Sequence, residues 1–126
     1  MSNSVSPPAS ADTQFAPDAT GLPVVPFGLS VRPHRDAVHV APSGELDIAT
    51  VGELREQVDE LVGAGFARVV IDLRELIFMD CAGLRLLHAL SADARRDGWE
   101  LSLIQGRPPV RRVFEITDTL HGLPFA

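Results

Sequence analysis

Two carboxylates and one thiol are the side chains best suited to chemistry in this sequence of 126 residues. Asp47 ends the tract Ser-Gly-Glu-Leu-Asp at residues 43–47, Asp80 follows the apolar residues Phe78 and Met79, and Cys81 follows Asp80 directly. Paired carboxylates can do acid and base work, yet an aspartate before a helix is usually a cap. A thiol at a helix N-terminus can be acidified and reactive, or it can simply fill a cap position. We predict no catalytic residue, and redox sensing through Cys81 stays an alternative.

Histidine spacing and the cysteine count argue against a metal site. The four histidines are His34, His39, His88 and His121, and none has a metal-ligand spacing. One cysteine can build neither an internal disulfide nor a zinc cluster. We therefore predict no metal and no cofactor, with structural or solvated roles for the histidines.

Lysine is absent from the chain, and its absence excludes several kinds of enzyme. P-loop nucleotide sites, Schiff-base chemistry and the protein-kinase ATP site all depend on a lysine amine. The net charge of −6 argues against a nucleic acid partner. No apolar run approaches the ~20 residues of a membrane span, and the N-terminus lacks the basic start of a secretory signal. We expect a cytoplasmic protein that is not an enzyme and does not insert into membranes.

The composition divides the chain into a tail and a single domain. Residues 1–27 contain many prolines and only two charged residues, Asp12 and Asp18, and their apolar residues follow no period. Such a segment cannot bury enough apolar surface to offset its ordering entropy. We predict a disordered tail over residues 1–27 and one folded domain over residues 28–126.

The domain begins with a predicted β-hairpin. Residues 29–34 and 37–41 have strand composition and are separated by the turn residues Arg35 and Asp36. Pro33 confines the first strand to a sheet edge. Residues 42–44, a Pro-Ser-Gly tract, are expected to end the second strand.

A strand–helix–strand unit follows the hairpin. Thr50 and Glu53 form a capping-box pattern for a helix that Gly63 and Gly65 stop. The apolar run over residues 69–73 suits a central strand covered on both faces. The connection makes this strand parallel to the second strand of the hairpin.

The remaining elements complete an α/β domain. A helix is predicted over residues 82–97, a strand over 99–104, a helix over 108–116 and a short peripheral strand within 120–125. We predict a mixed sheet of four to five strands with a parallel centre and an N-terminal edge hairpin, with helices packed over it.

Functional sites in such sheets gather beyond the carboxyl ends of the parallel strands. Two tracts qualify: residues 43–47, which read Ser-Gly-Glu-Leu-Asp, and residues 78–83, which read Phe-Met-Asp-Cys-Ala-Gly. The second tract runs into a helix N-terminus, where Asp80 or Cys81 could serve as the cap.

These tracts resemble the STAS domain, and more narrowly the bacterial anti-sigma factor antagonists. The resemblance rests on residues 44–50 (Gly-Glu-Leu-Asp-Ile-Ala-Thr), 70–73 (Val-Ile-Asp-Leu) and 78–87, and residues 106–114 fit the last helix of the family. It implies a protein that binds an anti-sigma factor, often a histidine-kinase-like serine kinase, and thereby frees a sigma factor. The kinase phosphorylates the antagonist on a hydroxyl residue of the loop, and the added charge breaks the interface.

The chain departs from the family pattern at the phosphorylated position. The family loop usually reads Asp-Ser-Ser/Thr-Gly, whereas this chain has Cys81 and Ala82 in place of the hydroxyl residues. The resemblance implies a partner-binding loop formed by Asp80, Cys81, Ala82, Gly83 and Arg85, beside an adjacent loop formed by Ser43, Gly44, Glu45 and Asp47. We predict an antagonist without the usual phosphorylation switch.

A second function remains open on the same residues. The chain could be a STAS scaffold subunit of a lipid-transport or signalling assembly, with the same loop docking another helical partner. Either function is compatible with a monomer or a weak dimer.

Overall fold

A computed structural model describes residues 26–126. Its strands are β1 (Gly28–His34), β2 (Ala37–Leu46), β3 (Arg68–Asp72), β4 (Leu76–Met79) and β5 (Glu100–Ile104). Its α-helices are α1 (Val51–Gly63), α2 (Cys81–Asp97) and α3 (Pro108–Ile116), and a 3-10 helix spans Leu120–Gly122. The predicted disordered tail, except for Pro26 and Phe27, lies outside the described residues.

The strands form one mixed sheet with the predicted parallel centre and edge hairpin. The strand order is β1-β2-β3-β5, and β4 also pairs with β2. β1 and β2 are antiparallel, whereas the β2–β3, β2–β4 and β3–β5 pairs are all parallel. The carboxyl ends of β2 and β4 therefore lie side by side, at the edge from which the second helix starts.

β2 is longer than predicted, and its extension includes three residues that were predicted to lie in a loop. The strand continues through Pro42 to Leu46, so Ser43, Gly44 and Glu45 belong to the strand and not to a loop. Pro42 pairs with β1 and lies between the segment that pairs with β3 and the segment that pairs with β4. A proline at this position interrupts neither parallel ladder, which explains how the strand passes through it.

Two short segments also differ from the prediction. β4, Leu76–Met79, was not recognised, because its four apolar residues precede the helix without turn residues between them. The last predicted strand is reduced to a single bridge between Leu103 and Phe125, preceded by the 3-10 helix. Pro124 lacks the amide that a longer ladder would require.

The main core lies between one face of the sheet and the helices. Val38, Val40 and Ile71 on the sheet pack in one cluster with Leu54 of α1 and Leu87 of α2. The buried face of α1 consists of Leu54, Val58 and Leu61. The residues that alternate with the buried positions, including His39 and Val70, are only partly buried. Among residues 26–126, the expectation that β3 would be covered on both faces was wrong, because Val70 is only partly buried on the second face of the sheet, which we call the open face.

Within residues 26–126, none of the helices combines the length and hydrophobicity that a membrane crossing requires. The same residues contain no cluster of three or more potential metal ligands.

Candidate functional site

Asp80 is the N-cap of α2, which decides between the two candidates, Asp80 and Cys81, that the sequence left open. Its Oδ1 accepts hydrogen bonds from the backbone amides of Ala82 at 2.8 Å and Gly83 at 3.3 Å. The backbone amide of Asp80 in turn donates to the carbonyl of Leu46 at 3.2 Å. The first turn of α2 is therefore tied to the end of β2, and the amides that a helix leaves free at its start are partly satisfied by this carboxylate.

The side chains of the predicted partner-binding loop divide into exposed and buried. Cys81 and Arg85 are exposed, whereas Ala82 is 8% exposed and Gly83 is buried. Gly83 packs against Met79 so closely that an added Cβ would lie 2.5 Å from its Cγ. The helix can therefore approach β4 only because residue 83 has no side chain. Ala82 contributes a small, nearly buried apolar side chain beside the exposed Cys81.

The adjacent turn, residues 47–50, is fixed by Asp47 and Thr50. The Asp47 carboxylate accepts from the amide of Ala49 at 2.9 Å, and the Asp47 carbonyl accepts from the amides of Thr50 and Val51. The Thr50 hydroxyl donates to the carbonyl of Glu45 at 2.8 Å and accepts from the amide of Asp47 at 3.0 Å. The predicted capping box is wrong, because the Thr50 side chain makes no cap hydrogen bond and instead holds the turn to the end of β2.

The other residues of the predicted adjacent loop lie along β2 itself. Ser43 lies on the open face of the sheet, away from α2, and its hydroxyl contacts the carbonyl of Gly28 at 3.5 Å. Gly44 has a φ of +86°, and a Cβ there would lie 2.8 Å from the carbonyl oxygen of Pro26. Glu45 is exposed. Of the four predicted residues, only Asp47 therefore lies in the turn beside the start of α2.

A shallow groove of about 370 Å³ separates the starts of α1 and α2. We call it the α1–α2 groove. Its apolar lining consists of Ile48, Val51, Gly52, Ala82 and Leu86, and two arginines, Arg55 and Arg85, also border it. No acidic side chain belongs to its lining. The groove could not be found from the sequence, because its walls come from residues 48–55 and residues 82–86, which are more than 25 positions apart in the chain.

A second polar cluster, on the open face of the sheet, joins His39, Asp72 and Arg74. The Asp72 carboxylate accepts from Arg74 Nε at 2.9 Å and Nη2 at 2.7 Å, and its Oδ2 lies 3.0 Å from His39 Nε2. Hydrogen bonds from the Arg74 side chain hold the pKa of Asp72 well below its ordinary value, although burial opposes them. The pairing of His39 with Asp72 could not be foreseen from the sequence, because the two residues are 33 positions apart.

The two carboxylates beside the start of α2 are engaged within the chain. The carboxylates of Asp47 and Asp80 both accept hydrogen bonds from backbone amides of their own turns, which favours the cap interpretation over an acid–base pair. Cys81 exposes a free thiol at the first residue of α2.

Comparisons with known proteins agree on one family. The family model described as "Mlab, STAS domain" matches residues 29–123. BtrV of Bordetella bronchiseptica, which is classed with the anti-sigma factor antagonists, is 35% identical over 83 residues, covering 66% of this chain and 72% of that protein. The anti-sigma F factor antagonist of Paenibacillus polymyxa is 29% identical over 97 residues, covering 76% of this chain and 83% of that protein. The crystal structure of an anti-sigma factor antagonist from Mycobacterium paratuberculosis has a TM-score of 0.70 at 25% identity and covers 79% of this chain and 85% of that chain.

Proposed function

This chain belongs to the STAS domain family, and from its relationship to the anti-sigma factor antagonists we propose that it binds an anti-sigma factor of the histidine-kinase-like serine kinase type. The surface that we assign to this partner is the start of α2, from Asp80 to Arg85, together with the turn at residues 47–50. Binding would occupy the kinase and free its sigma factor.

We further propose that this antagonist lacks the phosphorylation switch, and Ala82 is the observation that carries this step. By the resemblance to the family loop, we match position 82 to the phosphorylated hydroxyl residue, and this chain has there an alanine that is 8% exposed. Its neighbour Cys81 also lacks a hydroxyl. A phosphate would add nearly two negative charges at the contact, and without an acceptor that change cannot happen here.

The neighbouring hydroxyl residues are poor substitutes for an acceptor. The Thr50 hydroxyl is engaged with the carbonyl of Glu45, and Ser43 lies on the open face of the sheet. Ser91 is 5% exposed inside α2 and accepts a hydrogen bond from Arg95. Each location supports the proposal that control of this antagonist comes from its amount, or from competition for the kinase, and not from its own phosphorylation.

Calorimetric titration with the serine-kinase anti-sigma factors of the same genome tests the proposal. The full chain should bind one of them with equal affinity in the presence of ADP and of ATP with Mg²⁺. Ala82→Glu should weaken binding about tenfold or more, because an uncompensated charge would be buried at the centre of the contact. The matched control is Ala92→Glu, on an exposed position of the same helix, which should bind like the wild type.

The helix should tolerate the charge at position 82, because a glutamate in the first turn is favourable to the helix dipole. Circular dichroism of both variants checks this. Absence of binding to every such kinase would overturn the proposed partner, and equal binding by Ala82→Glu would move the contact elsewhere.

A scaffold role is the second candidate function, and the name of the matched family model supports it. That model carries the name Mlab and not that of an antagonist. In this role the same helix start would dock a different helical partner within a lipid-transport or signalling assembly. Co-purification of the full chain with the products of neighbouring transporter genes, and not with a kinase, would support it.

A further inference from the structure

Ile48 is an apolar side chain held out into solvent by a well-bonded turn. It is 76% exposed. The residues on either side of it are fixed, since the amide of Ala49 donates to the Asp47 carboxylate and the Thr50 hydroxyl bonds to the end of β2. A single exposed isoleucine is ordinary on a protein surface. Ile48 differs because it borders the α1–α2 groove, so its apolar surface is continuous with that of Val51 and Leu86.

The charges at the α1–α2 groove are positive and only partly neutralised. Arg55 contacts Asp93 at 2.7 Å and Asp59 at 3.4 Å, so its charge is compensated within the protein. Arg85 is exposed and forms no ion pair with any residue between 26 and 126. The groove thus presents an uncompensated guanidinium beside an apolar floor, on a chain whose net charge is −6.

We propose that the α1–α2 groove receives an acidic–apolar segment of the partner, with an apolar side chain packed between Ile48 and Leu86 and a carboxylate paired with Arg85. Charge complementarity selects this occupant, because a basic segment would meet the uncompensated Arg85, and none of the described residues that line the groove is acidic. A guanidinium can hold a carboxylate by two parallel hydrogen bonds, which fixes the orientation of the segment as well as its position. The inference rests on the proposed function, since it names the chemistry that the anti-sigma factor would bring to this surface.

The groove also explains why a small residue suits position 82. The Ala82 methyl forms part of the apolar floor, so a larger polar group there would meet the segment that occupies the groove.

Calorimetric titration of the full chain with its anti-sigma factor tests the groove with matched pairs of variants. Ile48→Ser should weaken binding roughly tenfold, whereas Ile116→Ser, on a residue that is 75% exposed on α3, should leave affinity unchanged. Arg85→Glu should weaken binding roughly tenfold or more, and the loss should shrink as salt is raised. Arg112→Glu, at an exposed position of α3, is the charge-matched control.

The outcomes separate this inference from the proposed function. If wild type binds and Ala82→Glu does not, but Ile48→Ser and Arg85→Glu bind within twofold of wild type, the groove assignment is wrong while the proposed function stands. Tighter binding by Arg85→Glu would show that the partner segment is basic, which also overturns the assignment. Failure of the wild type to bind any serine-kinase anti-sigma factor would instead refute the proposed function. Melting curves within a few degrees of wild type establish that the variants are folded.

Discussion

Gly83 and Met79 are in contact across the junction between α2 and β4, at a separation that leaves no room for a side chain. A Cβ on residue 83 would lie 2.5 Å from Met79 Cγ and 3.1 Å from Met79 Sδ. Met79 is 1% exposed, so its side chain has little space into which to move. Residue 83 in the proposed binding surface must therefore be a glycine for the core to pack. This need arises from the contact with Met79 and does not depend on partner binding.

Gly83→Ala should destabilise the fold by about 1–2 kcal/mol, since overpacking of a filled core costs more than the helix gains from alanine. The matched control is Gly52→Ala in the first turn of α1, where an added Cβ meets nothing within 4 Å. That variant should be neutral or more stable by about 0.5 kcal/mol. Urea unfolding of the two variants measures both effects, and equal stability of Gly83→Ala and wild type would show that Met79 can move aside.

Asp72→Asn should lower the free energy of unfolding by about 1–2 kcal/mol near neutral pH, because it removes a charged acceptor from Arg74 and His39. The pKa of Asp72 is lowered in the folded protein, with the Arg74 side chain as the main cause. A carboxyl of this kind contributes its stability above the pKa of the unfolded chain, near 3.8. The contribution is lost as the pH falls from there toward the lower pKa of the folded state.

The difference in unfolding free energy between wild type and Asp72→Asn should therefore shrink by about 1 kcal/mol between pH 5 and pH 3. Urea unfolding at the two pH values measures it. Asp97→Asn is the control, because its pair with Arg96 is exposed to solvent and screened. A difference that stays constant across this interval would mean that Asp72 carries no lowered pKa.

The order of elements could be derived from the sequence because local signals mark it. Gly98 ends α2 with a φ of +81°, the left-handed conformation that glycine adopts most easily, and Asp80 begins the same helix as a cap. The run at residues 69–71 was correctly assigned to an interior strand. Its second face could not be predicted, because an apolar run of this length looks the same whether one face or both are covered.

The candidate site was only partly predictable, because several of its contacts join residues that belong to different elements. In the turn at residues 47–50, the Thr50 hydroxyl donates to the carbonyl of Glu45, five residues earlier. The sequence pattern predicted instead that this hydroxyl would accept from the backbone amide of Glu53, three residues later. The α1–α2 groove and the Asp72–His39 pair join residues that are distant in the chain. Periodicity and spacing describe neighbours along one element, so they carry no information on such contacts.

The N-terminal segment should contribute little to stability. Deletion of residues 1–25 should change the melting temperature little, because the segment has no periodic apolar face to bury. The truncation must retain Phe27, which packs against the core, and Pro26, whose carbonyl lies against Gly44. Differential scanning calorimetry of the full and truncated chains measures the effect, and a loss of several degrees would show that the tail packs on the domain.

Ala82→Ser should create a phosphorylation site that the wild type lacks. The serine would sit between the capping Asp80 and the obligatory Gly83, in the position that carries the acceptor in the family pattern. Its hydroxyl would lie at the edge of the α1–α2 groove, within the surface that we assign to the kinase. After incubation with the kinase and ATP, intact-mass spectrometry should detect one added phosphoryl group on the variant and none on the wild type. Because a phosphate would place nearly two negative charges at the contact, the phosphorylated variant should also lose affinity for the kinase.

A phosphoryl group on the wild type would contradict the absence of a switch, and mapping to Ser43 would locate the switch on the open face of the sheet. If neither protein gains mass, the kinase does not act on this loop, and the scaffold role becomes the better explanation.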